Sequence, residues 1–205
     1  MAIGSPGAVR EVTWEDFLAL DEDDPRELID GVLVEVDVPT ELHEHIVALL
    51  AFFLVGWARP RGGRVLASGY KVRISDRRGV MPDVQYFDPE SARRLKQPGL
   101  AEGHPDLAVE VVSKTSRRYD RVTKLGWYAE IGTPEYWIVD PAAHTLERLL
   151  LRDGRFVIAE ALAEDAAFRP ESFPGLEILL AELWILPGEG GATKPRDRGE
   201  SEGMT

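Results

Sequence analysis

Hydrophobic positions in this chain follow two spacings, and the switches between them predict its elements. In TELHEHIVALLAFFLVGWARP, residues 40–60, Ile46, Leu49, Leu50, Phe53 and Leu54 recur at helical intervals. Thr40 is placed to cap that helix, and Pro60 with Gly62-Gly63 ends it. TWEDFLAL (13–20) predicts a shorter helix, with Thr13 as N-cap and Asp16 completing a capping box. RELIDGVLVEVDVP predicts a hairpin: strand 26–30, a turn at Asp30-Gly31, strand 32–37 and a stop at Pro39. Strands follow at 64–74, 81–87 and 106–112, with a turn at Asp76 to Gly79 and a polar loop over 88–103 carrying a helical turn at 89–95. SKTS caps a helix running to about residue 131, where Gly132 and Pro134 stop it. EYWIVDP (135–141) predicts a strand, 144–160 a hairpin turning at Asp153-Gly154, and 178–184 a last helix. Residues 1–11 read as a flexible leader and the Gly-rich stretch 187–205 as a disordered tail.

That order predicts an α/β (α+β) domain over residues 12–186, with a central mixed β-sheet flanked by helices. Strand 106–112, helix 117–131 and strand 135–140 would make a right-handed parallel crossover. The 205 residues, 44% hydrophobic and 29% charged, suit one ordinary globular domain. Without Cys there is no thiolate metal site and no Cys nucleophile, and a cytoplasmic location is expected. LLAFFLVGW is shorter than a bilayer crossing needs, so no membrane association is expected.

The net charge of −12 argues against a nucleic-acid partner until its distribution is read. Residues 1–58 carry 2 basic and 13 acidic side chains, and residues 129–205 carry 7 and 15. Residues 59–128 carry 15 basic and 8 acidic side chains, a local net of +7 that can face phosphates. The competing reading is a set of solvated Arg and Lys loops.

Candidate chemistry lies in that basic third. On strand 106–112, Leu107, Val109 and Val111 point one way and Ala108, Glu110 and Val112 the other, so Glu110 shares an apolar face. A carboxylate there needs a cationic partner, either a structural Arg or Lys or a bound metal. Asp83 follows Pro82 at the start of a strand that can lie beside 106–112. Two adjacent carboxylates repel unless a cation sits between them, and Mg²⁺ favours such oxygen ligands. Lys124 lies about two turns into the next helix, with Arg121 and Tyr128 as its i−3 and i+4 neighbours. Val122, Leu125 and Ala129 form the stripe expected to pack on the sheet. A snorkelling surface position is the alternative for this Lys.

PDVQYF followed by PDLAVEVVSKTSRRYDRVTKLGWYAEIGTPEYWIVDP resembles the Uma-two family of restriction endonucleases, a branch of the PD-(D/E)XK nuclease superfamily. ELIDGVLVEV and LHEHIV are similar to it as well, and the resemblance spans roughly residues 12–185. It implies a restriction-endonuclease-like core and Mg²⁺- (or Mn²⁺-) dependent hydrolysis of DNA phosphodiester bonds. By the same resemblance, Asp83 and Glu110 would bind the metal and Lys124 would assist the attacking water. The usual Lys position of the (D/E)XK element holds Val112, and Lys114 competes with Lys124 for the role. Glu27 matches an N-terminal Glu that helps hold the cation, and His43 matches a His at the start of the long helix. Arg117, Arg118 and Arg121 would contact backbone phosphates.

Two rivals remain at this stage. One is a homodimeric binding module of the same fold with a lapsed site. The other is an acidic mimic of nucleic acid, which the basic cluster at 59–128 opposes. A homodimer is expected from surplus apolar residues in 42–57 and 146–158. His43 and His45, two apart, do not share a helical face and make no zinc pair. Tyr136 and Trp137 read as core.

Overall fold

The computed structural model describes residues 11–21, 24–35, 38–96 and 98–186. The leader up to residue 10 and the tail from residue 187 lie outside them. The chain runs α1 (Trp14–Leu18), β1 (Glu27–Ile29), β2 (Val32–Val34), α2 (Glu41–Ala58), β3 (Arg64–Ala67), β4 (Lys71–Ser75), β5 (Arg78–Val80), β6 (Val84–Phe87), β7 (Gly99–Leu100) and β8 (Leu107–Val111). A π-helical turn (Tyr119–Lys124) leads directly into α3 (Leu125–Ile131). Then come β9 (Glu135–Asp140), β10 (Thr145–Arg152), β11 (Arg155–Ala163), β12 (Ala167–Phe168) and β13 (Ile178–Leu179).

Two sheets face each other. The larger has the order β11-β10-β9-β8-β6-β3 and is mixed, since β8 and β9 are parallel and its other neighbours antiparallel. The smaller has the order β2-β1-β5-β4-β7. The alternation predicted for β8 holds. Leu107, Val109 and Val111 join Trp137 and Val139 under α2, which contributes Ile46, Val47, Leu50, Leu54 and Ala58. Ala108 and Val112 face the other way, into a second core with Val72, Val80, Trp127, Tyr128 and Tyr136. Each fully buried Leu or Ile in these layers contributes about 1.5–3 kcal/mol. Glu110 therefore points between the two sheets.

Both predicted N-caps form. Thr13 and Asp16 make a reciprocal capping box, and the Thr40 hydroxyl accepts the His43 N–H at 3.2 Å. The segment Glu41–Arg61 is long and apolar enough to cross a membrane, with a mean hydropathy of 1.4, contrary to the sequence expectation. Its buried stripe is nevertheless part of the larger core.

Several elements differ from prediction. The single strand 64–74 is two strands in different sheets, because Ser68 (φ 45°) and Gly69 (φ 77°) take left-handed backbone and turn the chain between them. Arg78 and Gly79, predicted as turn, belong to β5. The final helix does not form: Ile178 and Leu179 pair with β12, and a 3₁₀ turn follows at Leu180–Glu182. Ile178, Leu180 and Leu183 are all buried, so packing outweighs local helix propensity there.

Candidate active site

The larger sheet sets the two central acids side by side. β6 runs antiparallel to β8 with Val84 opposite Val109, so the next position along the register puts Asp83 across from Glu110. Asp83 stands just before β6, and its Oδ2 accepts the Val111 N–H at 2.7 Å. His43, in the first turn of α2, brings Nε2 to 3.4 Å from the same oxygen. Burial lowers the affinity of this imidazole for a proton, but the Asp83 and Glu44 carboxylates outweigh it and raise the pKa above 6.5.

Glu110 is 3% exposed and has two partners. The Tyr128 hydroxyl donates to Oε1 at 2.6 Å, and the Lys124 ammonium donates to Oε2 at 3.0 Å. Lys124, 5% exposed, also lies 3.2 Å from Glu27 Oε1 and 3.6 Å from Asp120 Oδ1. Its Nζ sits 5.3 Å from the Tyr119 ring centre. Glu27 enters from β1 of the smaller sheet, and its Oε1 accepts the Met81 N–H at 2.8 Å. Its Oε2 is buried without a hydrogen-bond partner.

The π-helical turn delivers Asp120 and Lys124 together. The π turn itself has no side-chain cap; SKTS closes the turn just before it, where Ser113 N–H donates to the Ser116 hydroxyl oxygen and Ser116 N–H to that of Ser113, both at 2.9 Å. The Leu125 N–H then reaches back five residues to the Asp120 carbonyl, which also accepts the Tyr136 hydroxyl at 3.2 Å. Five-residue closure widens the turn, so positions four apart share a face, and such turns cluster at functional sites. The helix expected over residues 117–131 forms, but this turn breaks its α geometry at 119–124, and the packing stripe changes with it. Val122 is exposed, while Lys124 and Tyr128 point inward.

Negative charge exceeds positive charge in this pocket. Burial raises the Glu110 pKa well above 4.5; Lys124 opposes this, but Asp83, Asp120 and Glu27 add to the rise. Asp120 is raised for the same reasons, burial first. Burial alone would discharge Lys124, yet Glu110, Glu27 and Asp120 hold its pKa well above 10.5. A buried cluster of this sign takes up protons or a cation.

Of the residues singled out from sequence, Glu110, Lys124 and Glu27 meet directly, and Asp83 with His43 flanks them. Lys114 is exposed and outside the cluster. Arg117 is engaged by Asp140 at 2.9 Å, and Arg121 by Asp140 and Glu147, so neither is the unengaged phosphate contact expected. Arg118 is exposed and makes no ion pair among the described residues. Sequence reasoning missed Asp120, although an acid four residues before a Lys is a readable pairing signal. It named Tyr128 only as a neighbour of Lys124. A cleft of about 490 Å³ opens at the opposite end of β8 and β9, around Tyr86, Glu135, Arg148 and Phe173. Its buried Glu135–Arg148 pair, at 2.8 Å, is closed by the Trp137 indole and the Ser172 hydroxyl and leaves no surplus charge.

The donor chemistry around Lys124 fits a hard divalent cation: four carboxylates face one ammonium and one imidazole, and Glu27 Oε2 is unpartnered. Among the described residues, however, no three acidic or His side chains stand close enough together to grip one.

Comparison with known proteins bears on the fold and the family of this chain. A structure titled as "a putative nuclease belonging to DUF820" from Anabaena variabilis matches at 22% identity and a TM-score of 0.69, covering 84% of this chain and 97% of that one. The match places the chain among restriction-endonuclease-like folds. A DrdV–DNA complex matches 57% of this chain and 9% of its own, at 15% identity and a TM-score of 0.36, too low to bear on the argument. Curated proteins give no match. A family model described as "Putative restriction endonuclease" matches residues 14–182, and with the fold and the acid–lysine cluster now described, the chain belongs to that family, Uma2.

Proposed function

We propose that this protein is a divalent-metal-dependent endonuclease that hydrolyses DNA phosphodiester bonds in the cytoplasm. The observation that carries the reading is the buried surplus of carboxylates around Lys124, with Asp83 on the neighbouring strand. Asp83 and Glu110 would hold Mg²⁺ or Mn²⁺, with Glu27 beside them. Such a cation, when bound, polarises the scissile phosphate and lowers the pKa of a water.

The chain's own groups account for the rest. Lys124, kept charged by its acids, orients the attacking water or offsets charge gathering on the phosphate oxygens. His43, with Nε2 3.4 Å from Asp83 Oδ2, orients that carboxylate. The Val111 N–H fixes the Asp83 rotamer. The exposed Lys114, on the turn leaving β8, and Arg118, at the start of the following helix, would meet backbone phosphates.

The test is cleavage of plasmid and single-stranded DNA, with and without Mg²⁺ or Mn²⁺, by wild type, Asp83→Ala and Lys124→Ala. Metal-dependent cleavage by wild type alone supports the reading; equal residual activity in all three overturns it.

A second reading is a binding module of the same fold with a lapsed site. The close approach of Lys124 to three acids, where a cation would otherwise balance them, favours it. Calorimetry separates the two, because a lapsed site takes up no Mn²⁺. We also propose a homodimer in either case, supported by exposed apolar side chains: Phe52 (71% exposed) and Val55 on α2, and Val157 and Ile158 on β11. Light scattering that gives a monomer mass at micromolar concentration would refute it.

A further inference from the structure

We infer that Tyr128 is a positioning residue for Glu110: its hydroxyl occupies Oε1, so that Oε2 alone is presented to Lys124 and to the cation. The inference rests on the metal-dependent reading above. The contact is short, 2.6 Å, and both residues are buried. Hydrogen bonds from an O–H to a carboxylate in this range are among the stronger kinds in proteins.

The tyrosine is itself held from several sides. Its main-chain carbonyl accepts the Thr133 N–H at 2.9 Å and the Gly132 N–H at the end of α3. Its ring packs on that of Tyr136 at 5.0 Å. Its hydroxyl bonds Glu110 alone among the described residues. The terminal torsion of a glutamate is soft, and a carboxylate free at one oxygen rotates readily. Here the hydroxyl fixes that torsion while Oε2 faces Lys124 at 3.0 Å. A second partner on a ligating carboxylate typically changes metal affinity by about 10–100-fold.

The experiment uses the full chain and Mn²⁺ itself as probe. Tyr128→Phe keeps the ring and deletes the donor. Its Mn²⁺ Kd, measured calorimetrically on metal-free protein, is expected to weaken by about 10–100-fold. The Mg²⁺ concentration for half-maximal cleavage should rise in parallel, while kcat at saturating Mg²⁺ changes far less. Tyr86→Phe, which deletes a hydroxyl from the cleft at the far end of the sheet, is the control and should bind Mn²⁺ as wild type does. An unchanged Kd in Tyr128→Phe overturns the inference and leaves the nuclease reading standing. A wild type that binds no Mn²⁺ overturns that reading and this one with it. Should Tyr128→Phe not fold, wild-type crystals soaked in Mn²⁺ decide: the ion on Oε2 alone supports the role, and the ion on both oxygens of Glu110 refutes it.

Discussion

Replacing Lys124 with Met tests the electrostatic account of the pocket without reference to activity. The ammonium lies 3.0, 3.2 and 3.6 Å from Glu110, Glu27 and Asp120. At an effective dielectric constant of about 20, each contact has a gross attraction of roughly 5 kcal/mol, most of it offset by the cost of burying the charges. Removing the cation strands its acids in a dry site, and stranding a buried charge costs about 3–5 kcal/mol. Met fills nearly the same volume, so packing contributes little to the loss. The loss must also depend on pH. In the variant the Glu110 pKa, already well above 4.5, rises further. A carboxyl whose folded pKa is raised favours the folded state below its unfolded value, and that contribution is lost as pH rises through the folded pKa. Urea unfolding of metal-free protein should therefore show a deficit of about 3–5 kcal/mol at pH 7, clearly smaller at pH 5. Saturating Mg²⁺ should restore part of it. A deficit under about 1 kcal/mol at pH 7, or one equal at both pH values, refutes the reasoning.

Three further outcomes are expected. Asp83→Asn keeps an acceptor for the Val111 N–H and should stay folded, yet lose about 100-fold or more of metal-dependent cleavage; activity within a few-fold of wild type would remove Asp83 from the site. The His43 imidazole should titrate above 6.5 by NMR in wild type and fall in Asp83→Asn. Its contribution to stability is complete below pH 6.5 and fades as pH rises through the raised pKa, and a wild-type midpoint at or below 6.5 contradicts the Asp83 contact. Gly79→Ala should destabilise by about 1–3 kcal/mol in thermal unfolding, because its new Cβ would lie 2.8 Å from the Phe17 ring and 2.9 Å from that of Trp14; an unchanged Tm would mean that α1 does not pack as described.

Local patterns were sufficient for much of the chain. Period and caps predicted α1, α2, the β1–β2 hairpin, β8, β9 and the β10–β11 hairpin, because each is set by neighbours a few residues apart. The face alternation of β8 marked Glu110 as a carboxylate among apolar residues, and that anomaly pointed to the site. What failed was decided by distant contacts. The turn at Ser68-Gly69 moves the chain from one sheet to the other, and the C-terminal segment gives up its helix to seal the larger core.

The sequence by itself determined which side chains carry charge into an apolar setting, since period and composition are local properties. Only the tertiary structure decided their company. Lys124 rather than Lys114 reaches Glu110, because a π-helical turn closed across five residues rotates it inward. Glu27 arrives from the other sheet, Asp120 joins as a further acid, and Tyr128 takes one oxygen of Glu110. Arg117 and Arg121 are drawn to Asp140 and Glu147 instead of facing solvent. Which opposite charges meet depends on strand register and turn geometry summed over many residues, and no short window of sequence holds that sum.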